Sequence, residues 1–220
     1  MEKSWKQILK KTWHFIWEDD SMLSWIVNIL LAFILIKFIV YPGLGFILST
    51  DFPIVAVVSG SMEHKVAPDA SGTLKLCDKT YEEKESINFN TYWETCGSWY
   101  EAETVITKDD FQQFPFRNGF NEGDIMILKG KQPENINIGD VIVFKSNRPD
   151  PIIHRVVKIW EDNGYHYQTK GDHNERVIKT LRLDESDIHE NQVLGNALFR
   201  IPYLGWVKIA FVKLITPFMN

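Results

Sequence analysis

The chain has 220 residues, a formal net charge of -5 at pH 7 and only two cysteines, Cys77 and Cys96. That length holds one domain of ordinary size plus an anchor. Basic residues cluster only near the N-terminus, so nothing points to nucleic acid, and neither the cysteines nor the six histidines stand at zinc-ligand spacing, so no metal or other cofactor is expected.

The first segment, 1–21, contains SWKQILKKTWHFIW, in which Trp5, Ile8, Leu9, Trp13 and Ile16 fall near helical spacing with lysines between them. This is the pattern of an amphipathic helix lying on the inner face of a membrane. Residues 22–48 then read MLSWIVNILLAFILIKFIVYPGLGFIL, with Lys37 the one charge. The run exceeds the roughly 18 to 20 apolar residues of a membrane-spanning helix. Pro42, Gly43 and Gly45 are expected to end the helix near Tyr41, leaving about 20 residues and about 30 Å, with 42–48 as the exit. Lys37 lies close enough to the far end to snorkel to the interface. Lys3, Lys6, Lys10 and Lys11 hold the N-terminus in the cytoplasm by the positive-inside rule, to which Glu18, Asp19 and Asp20 contribute little. The expectation is a single-pass protein of the cell membrane with everything after Tyr41 outside. A cleaved signal peptide would have a shorter apolar core and an A-x-A-like site, which this run lacks.

Residues 49–200 read as an extracytoplasmic β domain. At 57–64 the chain reads VVSGSMEH: β-branched residues lead into Ser-Gly-Ser, which suits a nucleophile delivered to a tight corner and equally an ordinary turn. Residues 65–120 lack a sustained helical or alternating pattern and look like an insertion with short elements of its own. Its aromatics, among them Trp93, Trp99, Tyr100, Phe111, Phe114, Phe116 and Phe120, either build a local core or meet the headgroup layer. Cys77 and Cys96 both fall in it, on the side of the membrane where a disulfide is permitted. Beyond the insertion, GDIMILKG, INIGDVIVFKS, PIIHRVVKIW and YHYQTKGD are strand-like runs separated by turn residues, with Asp162, Asn163 and Gly164 offering a hairpin. The fold class is mostly β, a compact antiparallel domain after an N-terminal transmembrane helix. The tail, 201–220, is apolar but carries Lys208 and Lys213, and reads as a membrane-proximal interfacial helix rather than a second span.

A serine becomes a useful nucleophile when a base takes its proton and a third group orients that base. His14 precedes the span, His64 is only three residues from Ser61, and His166 and His189 have no motif around them. His154 sits in IIHRVVKI, where alternation places Ile152, His154 and Val156 on one strand face and Ile153, Arg155 and Val157 on the other. A half-buried histidine of that kind can stay neutral and accept a proton, or can be purely structural. Asp172, in the turn of TKGDHN, can orient an imidazole or merely be solvated. Ser59 lies near enough to Ser61 to donate to an oxyanion.

Together SGSME at 59–63, GDIMIL at 123–128, GDVIVF at 139–144, HRVVKI at 154–159 and TKGDHN at 169–174 resemble the type I signal peptidases, serine peptidase family S26. The similarity is to the archaeal and endoplasmic-reticulum branch, whose general base is histidine. The resemblance implies a signal-peptidase/LexA-like β fold, with Ser61 as nucleophile, Ser59 as oxyanion support, His154 as base and Asp172 in the Gly-Asp block. It also implies cleavage of signal peptides from secretory precursors at the outer membrane face, after small residues, with the precursor bound as an added strand. The lipid bilayer is the other implied partner, and accessory subunits are left open. Two positions depart from the pattern. His64 stands where proline is usual, and Ile178 stands where many relatives carry a second aspartate that completes the triad. Glu175, Asp184 and Asp187 are possible substitutes, and the acid stays open among Asp172, Asp187 and Asp184, in that order. A catalytically inactive, membrane-anchored β domain that binds extended peptides or partner subunits is the alternative. A prediction follows from the span as well: Ser61 comes about 20 residues after the expected helix end, which keeps the site near the membrane surface.

Overall fold

A computed structural model describes residues 2–69, 71–85 and 87–206. The chain divides into two compact units, Met1–Ile47 and Leu48–Asn220.

In the first unit, helix α1 (Glu2–Trp17) is followed by α2 (Met22–Leu35). Ser21 caps α2 by accepting the Ser24 N–H at 3.2 Å. Polar side chains of α2 reach back to the last carbonyls of α1: the Ser24 hydroxyl donates to Phe15 O at 2.6 Å and the Asn28 amide to Ile16 O at 2.8 Å. Those carbonyls would otherwise lack partners at a helix end. The sequence-based stop at Tyr41 is not observed. The helix runs on through a π-helical turn, Ile36–Val40, into α3 (Tyr41–Leu48), so that Met22–Leu48 forms one continuous run of 27 residues. Proline lacks an N–H and its ring crowds the carbonyl four residues back. Here the turn just before Pro42 is widened, with the Tyr41 N–H bonding Ile36 O five residues back. Among the described residues this is the one helix long and apolar enough to cross a membrane. Its Leu30, Phe33, Ile36 and Phe38 are exposed in the protein.

The second unit is built on a seven-stranded sheet of order β1-β5-β10-β6-β7-β8-β9, every pairing antiparallel. The strands are β1 (Ile54–Ala56), β5 (Ile125–Lys129), β6 (Val141–Phe144), β7 (Ile152–Glu161), β8 (Tyr165–Lys170), β9 (Ile188–His189) and β10 (Val193–Ile201). β7 and β8 are joined at 162–164, where Asn163 and Gly164 both have positive φ, as the Asp-Asn-Gly hairpin signal requires. β6 is buried on both faces: Val141 and Val143 join Val57, Met62, Met126 and Leu128 in one core, while Ile142 and Phe144 join Val156, Tyr167, Leu183 and Ile188 in another. Such double burial explains its unbroken apolar run.

Residues 65–120 form a subregion with its own core. A small sheet of β2 (Ala67–Pro68), β3 (Leu74–Leu76) and β4 (Lys79–Thr80) precedes α4 (Phe89–Glu103) and α5 (Lys108–Gln113). The 15-residue α4 is a correction to the sequence reading, which saw no sustained helical pattern there. Tyr92, Trp93, Tyr100 and Phe111 are buried against one another, and Val157 of β7 joins them, so these aromatics make a local core. Cys77 and Cys96 are disulfide-bonded. The tail is strand up to Ile201, the end of β10; the interfacial helix expected over its remainder falls chiefly on 207–220, outside the described residues.

Candidate active site

The 57–63 segment continues from β1 and is pinned by the chain that leads into β5. Val57 exchanges backbone hydrogen bonds with Gly123 and Asp124, at 2.9 Å each, and Met62 O accepts from the Phe120 N–H at 3.1 Å. Met62 is fully buried in the core beneath the turn. Glu63 is buried and accepts from the Glu122 N–H at 3.0 Å and from Lys65 at 2.9 Å. A Cβ on Gly60 would meet the Glu63 carboxylate at 2.9 Å, so a side chain there would press on that carboxylate. Val57, Met62 and Glu63 are thus fixed by packing and backbone bonds, and they hold Ser61 at the corner.

Opposite lies His154 of β7. In a flat sheet β1 and β7 would stand four spacings apart, about 19 Å, yet Ser61 Oγ is 2.8 Å from His154 Nε2; the sheet coils and the turn folds across to close the distance. His154 is buried, and its Nδ1 bonds Glu185 Oε1. Glu185 is fully buried, accepting also from the Thr169 hydroxyl at 3.1 Å and the Ile178 N–H at 2.8 Å. A carboxylate that only accepts makes Nδ1 the protonated nitrogen, which leaves the Nε2 lone pair to face the Ser61 hydroxyl. Ser59 Oγ lies 3.2 Å from Ser61 Oγ.

The three expected carboxylates are elsewhere. Asp172 is fully buried but bonds Arg155, Nε to Oδ1 at 2.9 Å and Nη2 to Oδ2 at 2.7 Å, with His64 Nε2 at 3.0 Å from Oδ2. The reason is the strand period: Arg155 follows His154 and points to the opposite face of β7, and Asp172 lies on that opposite face. Burial alone would raise the Asp172 carboxyl, but the Arg155 charge and the bonds from His64 and Arg155 hold it well below the usual carboxylate range. Asp184 is turned outward and accepts from Ser186. Asp187 is exposed and pairs with His166 at 2.6 Å. Glu185 was missed, although alternation with Leu183, which is buried in the core, was the signal that could have found it: Leu183 and Glu185 point inward while Asp184 points out.

The remaining histidines have structural partners. His64 stacks on Tyr92 with ring centroids 3.6 Å apart, and burial keeps its pKa below the usual value despite the neighbouring Asp172. A cleft of about 440 Å³ opens beside Ser61 and His154, lined by Val55, Val58, Ile152, Ile178 and Leu183 among others. A larger, more open cavity of about 600 Å³ lies between α4 and residues 175–177 and contains neither Ser61 nor His154.

No protein-family model matches the chain. Among curated proteins, it is 37% identical over 150 residues to the signal peptidase complex catalytic subunit SEC11C of Homo sapiens, covering 64% of this chain and 78% of that protein. It is 33% identical over 192 residues to the signal peptidase complex catalytic subunit sec11 of Schizosaccharomyces pombe, covering 85% of this chain and 81% of that protein. The chain belongs to the type I signal peptidases. It falls in their archaeal and endoplasmic-reticulum branch, and it is a hydrolase of that family. With its N-terminal apolar helix, this signal peptidase is a membrane-anchored protein. The backbone N–H of Ile178, the position where the resemblance implies an aspartate, donates to the carboxylate of Glu185 at 2.8 Å.

Proposed function

We propose that the protein cleaves N-terminal signal peptides from secretory precursors at the outer face of the membrane. In this reading Ser61 is the nucleophile, His154 the general base and Glu185 the carboxylate that orients it. The observation that carries the reading is the continuous line from Ser61 Oγ through His154, at 2.8 Å, to the buried Glu185. His154 takes the proton of Ser61 as the oxygen attacks the scissile carbonyl, then returns it to the leaving amine; water hydrolyses the acyl-enzyme by the same route. The Ser59 hydroxyl and backbone N–H groups of the turn support the oxyanion. The apolar walls of the cleft suit small uncharged side chains next to the scissile bond.

The domain assignment is part of the same proposal: a cytoplasmic segment at 1–21, the anchor and exit at 22–48, the catalytic domain at 49–200 with its insertion at 65–120, and a membrane-proximal tail at 201–220. Orientation rests on the lysines at 3, 6, 10 and 11. The relatives are named as subunits of a complex, which supports accessory subunits and the bilayer itself as partners. The reading as a non-cleaving peptide binder rested on Ile178 standing where an aspartate is expected; the Glu185 carboxylate on His154 Nδ1 supports the cleaving reading instead.

The test is incubation of the detergent-solubilised full chain, and of its Ser61→Ala and His154→Ala variants, with a secretory precursor, mapping any new N-terminus by mass spectrometry. Wild type is expected to cut after a small residue and both variants to leave the precursor whole. Equal cleavage by Ser61→Ala would refute the assignment.

A further inference from the structure

Helix α4 of the insertion sends two buried tyrosine hydroxyls to one residue that takes no part in the proton transfer. The Tyr92 hydroxyl donates to Asp172 O at 3.0 Å and the Tyr100 hydroxyl to Asp172 Oδ1 at 3.2 Å. Both tyrosines are fully buried. A third bond from the insertion, from the Cys77 N–H, reaches His173 O at 3.1 Å. Two consecutive residues of this turn are thus gripped by the insertion.

The same turn touches the reacting groups. The His173 N–H donates to Ser61 O at 2.9 Å. A Cβ placed on Gly171 would lie 2.8 Å from Ser61 O and 2.9 Å from His154 Nε2. The turn therefore fills the space directly behind the serine and the imidazole, and a shift in it is a shift in them. On the far side, Arg155 spends all five donors on Asp172, Pro115 O, Gly139 O and Phe116 O, and its guanidinium lies over the Phe111 ring at 4.6 Å. Asp172 is one point where the insertion and the strand that bears His154 are tied together, beside the direct bonds of Arg155 to Pro115 O and Phe116 O.

We propose that Tyr92 and Tyr100 are positioning residues for the cleavage reaction: acting through Asp172 and His173, they fix the Ser61 carbonyl and hence the Ser61–His154 alignment. The inference rests on the reading of Ser61 and His154 as the reacting pair. It gives the insertion a role beyond its own folding. A positioning residue of this kind acts on kcat rather than on substrate binding, because neither tyrosine lines the cleft and each is sealed from substrate.

The test is steady-state cleavage of a precursor-derived peptide by the full-length Tyr92→Phe and Tyr100→Phe variants, with Ser61→Ala run in parallel and thermal unfolding recorded for each. Removing one hydroxyl keeps the ring packing. The expected result is a kcat lowered about tenfold, the scale of a sub-ångström misalignment, with KM within about twofold and the protein folded at the assay temperature. A kcat unchanged in both folded variants, or a loss that only follows unfolding, overturns the inference. Should one variant fail to fold, the other decides, since it breaks a different bond to the same residue; should both fail, the insertion is a folding element and the inference falls. Cleavage by Ser61→Ala would instead overturn the underlying assignment, which keeps the two failures apart.

Discussion

His154 and Arg155 are neighbours on one strand, and the period of two sends them to opposite sides of β7 with different carboxylates. Glu185 meets the imidazole and Asp172 meets the guanidinium. The pairing of Asp172 was legible in principle, because alternation alone sets an Arg155-facing residue against the wrong side for His154. The inward side of Glu185 was readable from alternation with Leu183, but its arrival at His154 was not, because the course of the intervening loop depends on burial of Leu183 and Ile188. The two carboxylates should respond differently to loss of charge. Glu185→Gln is expected to lower kcat by on the order of 10³- to 10⁴-fold while the protein stays folded. Asp172→Asn leaves Arg155 buried without a counter-charge and is expected to cost about 3–5 kcal/mol of stability, read from denaturant unfolding. pH gives the sign independently. The folded Asp172 pKa lies below its unfolded value of about 3.9, so its stabilisation is complete above that pH and is lost as pH falls below it. Wild-type unfolding temperature should therefore drop below about pH 4, and this component should be missing from Asp172→Asn; identical acid profiles for the two proteins would contradict the pairing.

At the scale of elements, the strands that alternate or run apolar between turns were readable, and β5, β6, β7 and β8 fall where those runs stand. Of the elements that were not, β10 and α4 are the longest. β10 carries Gly195 and Asn196 in its middle and register shifts in both its pairings, which break the alternation a reader looks for. α4 places Phe89, Tyr92, Trp93, Cys96 and Tyr100 at helical spacing, but its aromatics, threonines and Gly97 are weak helix formers. Gly97 is there because the Trp93 ring lies where a side chain would go, its Cε2 2.6 Å from a Cβ at that position. Tertiary packing, not propensity, makes this helix. The Cys77–Cys96 disulfide ties α4 to the turn after β3 across a sequence separation of 19. Closing a loop of that size is worth about 3 kcal/mol in the chain-entropy view, which corresponds to an unfolding shift on the order of 10 °C for a domain of this size. Calorimetry of the full chain with and without a reductant should show that lowering, together with loss of cleavage if the grip on residues 172 and 173 is released. No shift on full reduction would mean that the aromatic core holds α4 unaided.

For the whole molecule, the anchor was the most legible feature, since 22–48 announces itself by length and apolarity alone; only its end was misjudged, because a proline that would stop an ordinary helix is accommodated by the π-helical turn before it. Orientation is expected to follow charge rather than fold. The four lysines at 3, 6, 10 and 11 precede the span, whereas acidic residues closer to it carry little weight in the rule. Moving those lysines through the membrane with the N-terminus would be opposed, so the C-terminal unit is the part expected to cross. In sealed vesicles of known sidedness, protease added to the extracytoplasmic side should digest the region after Leu48 and spare an N-terminal tag. Replacing all four lysines by glutamine should then produce a mixed population in which some tags become accessible and some catalytic domains protected. Precursor cleavage in those vesicles should fall in proportion, since a domain left in the cytoplasm would face substrates from the wrong side. If the glutamine variant kept a single orientation, the lysines would not be what sets it, and the apolar run and the folding of the catalytic domain would have to supply the bias themselves.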